Sequence, residues 1–321
     1  MRISVLVALV QLALAAGFLT GCGDGGGVNS TPAPSRSMFP LTASGSFQTI
    51  TGTLAYAGTV YNPAALAGGN AVANRIDTAG RGPAVTFGFD GASGTYTVTG
   101  ASASANFTAA NAVAATGYEA AFSKQAGTVT DTLALYGNAP AVAPSSAVPM
   151  PLTYTSFGYW SHADSSTVQT QNTYFVYGQP TGVNAMPVTG TASYQTTVSA
   201  SMLEYNAAAA AFLKLGGTAT FTADFGASSV STALSLQYGT GNSAGTYAGT
   251  GAIKGDQFSG SLTSTNSQFT GGGFNGGFFG PAAKEMGYTF RITLHNPDPS
   301  AGAAILNADM AISGVVVGAR K

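Results

Sequence analysis

Apolar and polar residues alternate in short runs along much of this chain, and a period of two marks strands that bury one face. The pattern is cleanest in the C-terminal half. Val188, Gly190, Ala192, Tyr194 and Val198 fall opposite Thr189, Thr191, Ser193 and Gln195. Ala219, Phe221, Ala223 and Phe225 oppose Thr218, Thr220, Thr222 and Asp224, and Val230, Leu234 and Leu236 oppose Ser229, Ser231 and Ser235. Tyr247, Gly249, Gly251 and Ile253 precede Gly255-Asp256, a two-residue turn suited to a tight hairpin, and Phe258, Gly260 and Leu262 follow it. Phe274, Gly276 and Phe278 share one face, with Asn275, Gly277 and Phe279 on the other. Tyr288, Phe290, Ile292 and Leu294 then oppose Thr289, Arg291 and Thr293. In the 280–287 connection, Pro281 suits the first position of a short helical turn that Gly287 would end. With a last strand over 310–317 these make eight, enough to close an antiparallel barrel and remove its edges. The Ala-rich run SMLEYNAAAAAFLKLGG (201–217) predicts a helical excursion between the first two strands, ended by Gly216.

A narrow closed barrel also gives its glycines a use. Gly190, Gly249, Gly251, Gly260, Gly276 and Gly314 would leave inner space that Phe221, Phe258, Phe274, Phe278 and Phe290 cover. A Gly-rich open sandwich would show the same alternation. Closed, the barrel is expected to be filled by these rings, since no inner polar group stands ready to orient a ligand.

The N-terminal half alternates less regularly. Val85, Phe87 and Phe89 lead across a DGASG turn to Tyr96 and Val98, and further candidates lie at 118–124, 131–136, 153–160 and 173–177. NAPAVAPSSAVPMP (138–151) must be a loop, because proline cannot donate to a ladder. QPTGVNAMP (179–187) is a plausible boundary. The fold class expected is all-β, a small β domain over 39–180 followed by an eight-stranded antiparallel barrel over 181–321.

The first 22 residues, MRISVLVALVQLALAAGFLTGC, have the layout of a leader: Arg2, an apolar run too short to be a convincing membrane span, and a small-residue end. A signal peptide over 1–21 would leave Cys22 as the first mature residue. Cys22 is the only cysteine of the 321 residues, so an exported chain has no internal disulfide to make with it. Residues 22–38, rich in Gly, Ser and Pro, read as a flexible tether.

Charge narrows the partners. Eleven Lys and Arg, one of them Arg2 in the leader, stand against twelve Asp and Glu. Charged residues make up 7% of the chain, so nothing favours nucleic acid or anionic lipid as an electrostatic partner. The 44 glycines, with abundant Thr, Ser, Tyr and Phe, fit many short strands with tight turns.

Catalytic chemistry has little material. Two histidines are a small supply. His162 has Ser161, Asp164 and Ser165 beside it, but adjacent residues on a strand point apart and a triad needs convergent side chains. His162 and Asp164 share a face, and two ligands do not make a metal site. His295 precedes an Asn-Pro turn. Gly271, Gly272 and Gly273 precede a strand rather than a helix, so they are not a phosphate loop. No cofactor and no metal are expected. Lys284 and Glu285, adjacent in a turn, read by default as a solvated pair, with Glu285 accepting backbone N–H bonds as the alternative. The aromatic set Tyr154, Phe157, Tyr159, Trp160, Tyr174, Phe175 and Tyr177 reads mostly as packing. An exposed subset, Phe157, Tyr159 and Trp160, would form a protein-binding surface.

GGFNGGFFGPAAKEMGYTF (272–290) resembles the signature of the transferrin-binding protein B-like barrel domain, with Gly280, Pro281, Glu285 and Gly287 at its turn. Tyr288 departs from it, where the family usually has a second glycine. YFVYGQPTGVNAMPVTGTASYQ (174–195) and GVVVGARK (314–321) resemble the family's lead-in and closing strand. The resemblance implies that 39–180 is a handle domain beside the barrel. Leu19-Thr20-Gly21-Cys22 resembles the bacterial lipobox, which implies diacylglycerol and palmitate on Cys22 and a lipid anchor in the outer membrane, facing the cell surface. It implies a non-enzymatic binder of a solute or partner protein, accessory to an outer-membrane receptor for iron or haem import. A structural or adhesive envelope lipoprotein with no small ligand is the other reading. The ligand itself is not written in the sequence.

Overall fold

The computed structural model describes residues 38–60, 70–115, 119–136, 152–205, 210–295 and 310–321. The leader, Cys22, the tether up to residue 37 and the proline-rich 138–151 segment lie outside them. The described residues are all-β, in two strand systems. The first comprises β1 (Gly45–Ala57), β2 (Val72–Asp90), β3 (Thr95–Gly100), β4 (Ser104–Phe107), β5 (Ala112–Val113), β6 (Glu119–Ala126), β7 (Val129–Tyr136), β8 (Thr155–Asp164) and β9 (Gln169–Gly178). They form one antiparallel sheet in the order β4-β3-β2-β1-β9-β8-β7-β6-β5. The second comprises β10 (Thr191–Tyr205), β11 (Ala210–Asp224), β12 (Ser229–Tyr238), β13 (Asn242–Lys254), β14 (Gln257–Thr263), β15 (Phe269–Phe279), β16 (Glu285–Leu294) and β17 (Met310–Arg320). These close into an antiparallel barrel in sequence order, sealed by β10–β17 pairing from Tyr194↔Arg320 to Glu204↔Met310.

The alternation of the barrel strands becomes its inside and outside. Phe221, Phe258, Phe274, Phe278, Tyr288 and Phe290 are buried together in its core. The glycines sit under these rings. Phe258 pairs directly with Gly276, Phe274 with Gly260, and Phe290 with Gly314. A Cβ on Gly276 would stand 2.3 Å from the Phe258 ring, and one on Gly314 would stand 2.5 Å from Phe290. Those strands approach only because the side chain is missing. Tyr288, large where a small residue was the pattern, fills the same core, and its hydroxyl lies 2.7 Å from the Thr232 hydroxyl. The interior is therefore packed with side chains. Facing outward on the same strands, Ser231, Thr218, Thr220, Thr246 and Thr250 are exposed. This apolar-in, polar-out arrangement is the reverse of a lipid-embedded barrel.

The open sheet curls on itself. Its two edge strands, β4 and β5, are consecutive in the chain and joined by the short turn Ala109–Asn111. Phe107 of β4 and Phe122 of β6 bring their rings to 6.1 Å. The concave face encloses Phe87, Val98, Leu133, Trp160, Phe175 and Tyr177. The convex face of β1, β8 and β9 packs Ile50, Phe157, Tyr174 and Val176 against Phe279, Val315 and Val317 of the barrel.

Three expectations are corrected here. The 201–217 run is not helical: β10 continues through Tyr205, and β11 begins at Ala210. Met202 packs inside the barrel and Leu203 against Leu54 and Tyr56 of the sheet. A strand buried on both faces shows no alternation and reads like a buried helix. Val188 is 80% exposed, and with Gly190 it precedes β10 rather than lining the barrel. Gly287 does not end the turn, because β16 already starts at Glu285. Phe279 faces out of the barrel as the pattern requires, yet it is buried under the sheet.

Candidate functional site

The signature turn lies where the sheet meets the barrel. Glu285 opens β16 with its carboxylate buried. It accepts backbone N–H bonds from Thr153 at 2.7 Å, Tyr154 at 2.8 Å and Thr155 at 2.9 Å, at the start of β8. Burial outweighs these bonds and holds the carboxyl above its ordinary value. The Lys284 ammonium does not pair with it in water but sits 5.6 Å over the Tyr154 ring. Gly280 is left-handed (φ 72°), and a Cβ there would meet Tyr154 at 2.5 Å. Its N–H donates to the Gln179 carbonyl, and the Gln179 N–H donates to the Tyr154 carbonyl. Pro281 starts the tight turn Pro281–Ala283, which the Tyr194 hydroxyl closes by donating to the Ala283 carbonyl at 2.7 Å. Gly287 lets Val176 of β9 approach, since a Cβ there would stand 2.6 Å from that side chain. The four turn residues thus build the joint between the two strand systems.

A second joint escaped sequence reading. Arg81 of β2 pairs with Asp256 at 2.5 Å, both side chains largely buried, and the Arg81 N–H donates to Gln257 Oε1 at 2.7 Å. Asn275 donates its amide to the Thr78 hydroxyl at 2.8 Å. Gly255-Asp256 marked a turn in the sequence. Nothing in its pattern pointed to a cation 175 residues away.

The expected aromatic surface is not one. Phe157 and Trp160 are each 1% exposed. The two faces of β8 serve two cores: Phe157 faces the barrel, and Trp160 lies inside the curled sheet. Tyr159 is half-buried and donates its hydroxyl to Asn172 at 2.6 Å, with burial raising its phenol well above the ordinary value. Phe157 and Trp160 are packing, so no exposed surface of three rings exists there to bind a protein.

The polar neighbours of His162 part company. His162 Nδ1 lies 2.8 Å from Asp131 Oδ1, which also accepts from the Trp160 indole N–H at 3.0 Å. Asp164 instead caps the β8–β9 turn through Ser166 and Thr167. Its hydrogen bonds from Ser166 hold its carboxyl down at about 2. Ser165 donates to the Thr128 carbonyl. No triad converges. His295 directly follows β16, its backbone N–H on the Gln268 carbonyl. Among the described residues no cluster of three His, Cys, Asp or Glu could hold a metal, and no helix there is long and apolar enough to cross a membrane.

Residues 186–321 match the family described as the C-lobe and N-lobe beta barrels of Tf-binding protein B. No curated protein sequence matches the chain. Among solved structures, a double mutant of transferrin binding protein B from Haemophilus parasuis is 14% identical, with 87% of this chain and 76% of that one covered and a TM-score of 0.43. The isotype 1 protein from serogroup B Neisseria meningitidis is 17% identical, with 82% and 51% covered and a TM-score of 0.41. A mutant from Actinobacillus pleuropneumoniae is 13% identical, with 84% and 99% covered and a TM-score of 0.37. Through this match, residues 186–321 form a transferrin-binding protein B-like barrel domain.

Proposed function

We propose that this protein is a lipid-anchored outer-membrane lipoprotein that holds a partner protein at the cell surface without turning it over. Residues 39–180 act in it as a handle and 181–321 as the barrel domain. The observation that carries the reading is the family match of the barrel, joined to the Leu-Thr-Gly-Cys ending of the leader. The matched family is named for transferrin binding, and this favours a protein partner within iron or haem uptake, delivered to an outer-membrane import receptor. The packed interior favours binding on the outside of the molecule. The two joints favour a rigid body, which loses little conformational freedom on binding.

The anchor is the part most open to test. Cys22→Ser removes the thiol that forms the thioether, so the variant should remain an uncut precursor without palmitate. Labelling with radioactive palmitate and the size of the processed band decide it. Wild-type labelling of Cys22→Ser would contradict the proposal. Surface placement is tested by protease added to intact cells, which should reach the wild-type protein.

A further inference from the structure

The sheet touches the barrel along β1 and β9, where Thr289 donates to the Thr51 carbonyl at 2.7 Å and Tyr174 meets the Ser201 hydroxyl at 2.8 Å. The sheet then curls away, and a crevice of about 180 Å³ opens between its β6–β7 hairpin and barrel strands β10 and β11. Alternation on each strand decides what lines it. Phe122 and Leu133 belong mainly to the sheet's own core, so their neighbours Ser123, Thr132 and Ala134 are turned to the crevice. Ala200 and Leu215 belong to the barrel core, so Ser199, Ser201 and Lys214 form the opposite wall, with Phe212 beside them.

We propose that this crevice binds a single-ring aromatic monocarboxylate, its ring between Ala134 and Phe212 and its carboxylate on the Lys214 ammonium. Three features carry the assignment. The first is size: a cavity of about 150 Å³ with apolar walls accepts benzene, so this one has room for a ring with one small substituent. The second is the mixture of lining, apolar side chains with a few converging hydroxyls, which is how small-molecule sites fix orientation. The third is charge. Tyr159 and Tyr174 also line the crevice, and burial keeps both phenols neutral, Tyr174 raised to about 12. Among the described residues, Lys214 is the one charged side chain in the lining. It is exposed, while Ser199 and Ser201 are buried, so it stands at the mouth. It makes no ion pair among the described residues. A lining whose described residues carry one charge, a cation at the mouth, selects a monoanion.

The site is independent of the partner protein proposed above. Its test uses the full chain and two probes, benzoate and its uncharged analogue benzamide, followed by calorimetry or ligand-observed NMR. Benzoate should bind saturably, one per chain, and at least about tenfold more tightly than benzamide. Lys214→Met, at an exposed position, should keep the wild-type melting curve, weaken benzoate about tenfold and leave benzamide unchanged. Ala134→Phe should abolish binding of both, with its melting curve confirming that it folds. Absence of saturable benzoate binding to the wild type would overturn the proposal. So would equal affinity for the two probes, or indifference of benzoate to Lys214→Met.

Discussion

Glu285 takes the backbone N–H of Thr155 at 2.9 Å across 130 residues of chain, and with Thr153 and Tyr154 it gathers three donors at one carboxylate. Replacing it with alanine leaves those donors without their acceptor in a closed joint. Glu285→Ala should therefore lose on the order of 3–5 kcal/mol of unfolding free energy in urea. Amide exchange at Thr153–Thr155 should speed up more than exchange in the barrel strands. A loss under about 1 kcal/mol would mean that water serves the three amides as well.

The same carboxyl gives a pH test. Its folded value is raised by burial, so the native protein holds this proton more tightly than the unfolded chain. The contribution is fully present below the ordinary carboxylate range near pH ~4 and is lost as pH rises through the folded value. The stability of wild type relative to Glu285→Gln, which has no such proton, should fall from acid toward neutral pH. A relative stability that rises over that interval would contradict the burial-dominated assignment.

Phe278 and Phe279 are neighbours on β15 with opposite faces, and both are buried, one in the barrel and one under the sheet. Phe278→Ala and Phe279→Ala should each lose roughly 3–5 kcal/mol, measured by chemical denaturation. A strand with a free outer face would lose clearly less at Phe279. Such an asymmetry would show that the sheet does not cover that position in solution.

Gly276 and Phe258 offer a coupling test. Gly276→Ala alone drives a methyl into the ring and should cost about 1–3 kcal/mol. Combined with Phe258→Leu, the two losses should add to less than their sum, because the smaller side chain gives way to the methyl. Strict additivity would mean that ring and glycine do not share the same space.

How much of this was legible follows from burial. Barrel strands with one wet face alternate cleanly, so β11, β12 and β14 could be read from Thr and Ser set against Phe and Leu. The glycine-for-ring exchange was visible too, because Phe258, Phe274 and Phe290 share a parity with the glycines they cover. Where both faces are dry the signal vanishes. Ser201–Leu203 looked helical, and nothing marked Phe279 as covered by the sheet. Phe157 and Trp160 looked available because each serves a different core, and the sequence does not number the cores. Glu285 was seen as a possible backbone acceptor, but Thr153 to Thr155 could not be named, since no local period links positions 130 residues apart. Arg81 and Asp256 were hidden for the same reason.

Capture of the partner tests the account most directly. Intact cells carrying the wild-type protein or Cys22→Ser are cross-linked, and the proteins retained with each are identified and quantified by mass spectrometry. The account predicts one saturable protein partner, chemically unaltered, enriched with the anchored wild type and depleted with Cys22→Ser. No enrichment of any partner would contradict it and leave a structural or adhesive envelope protein, and a partner recovered cleaved or modified would make the protein an enzyme.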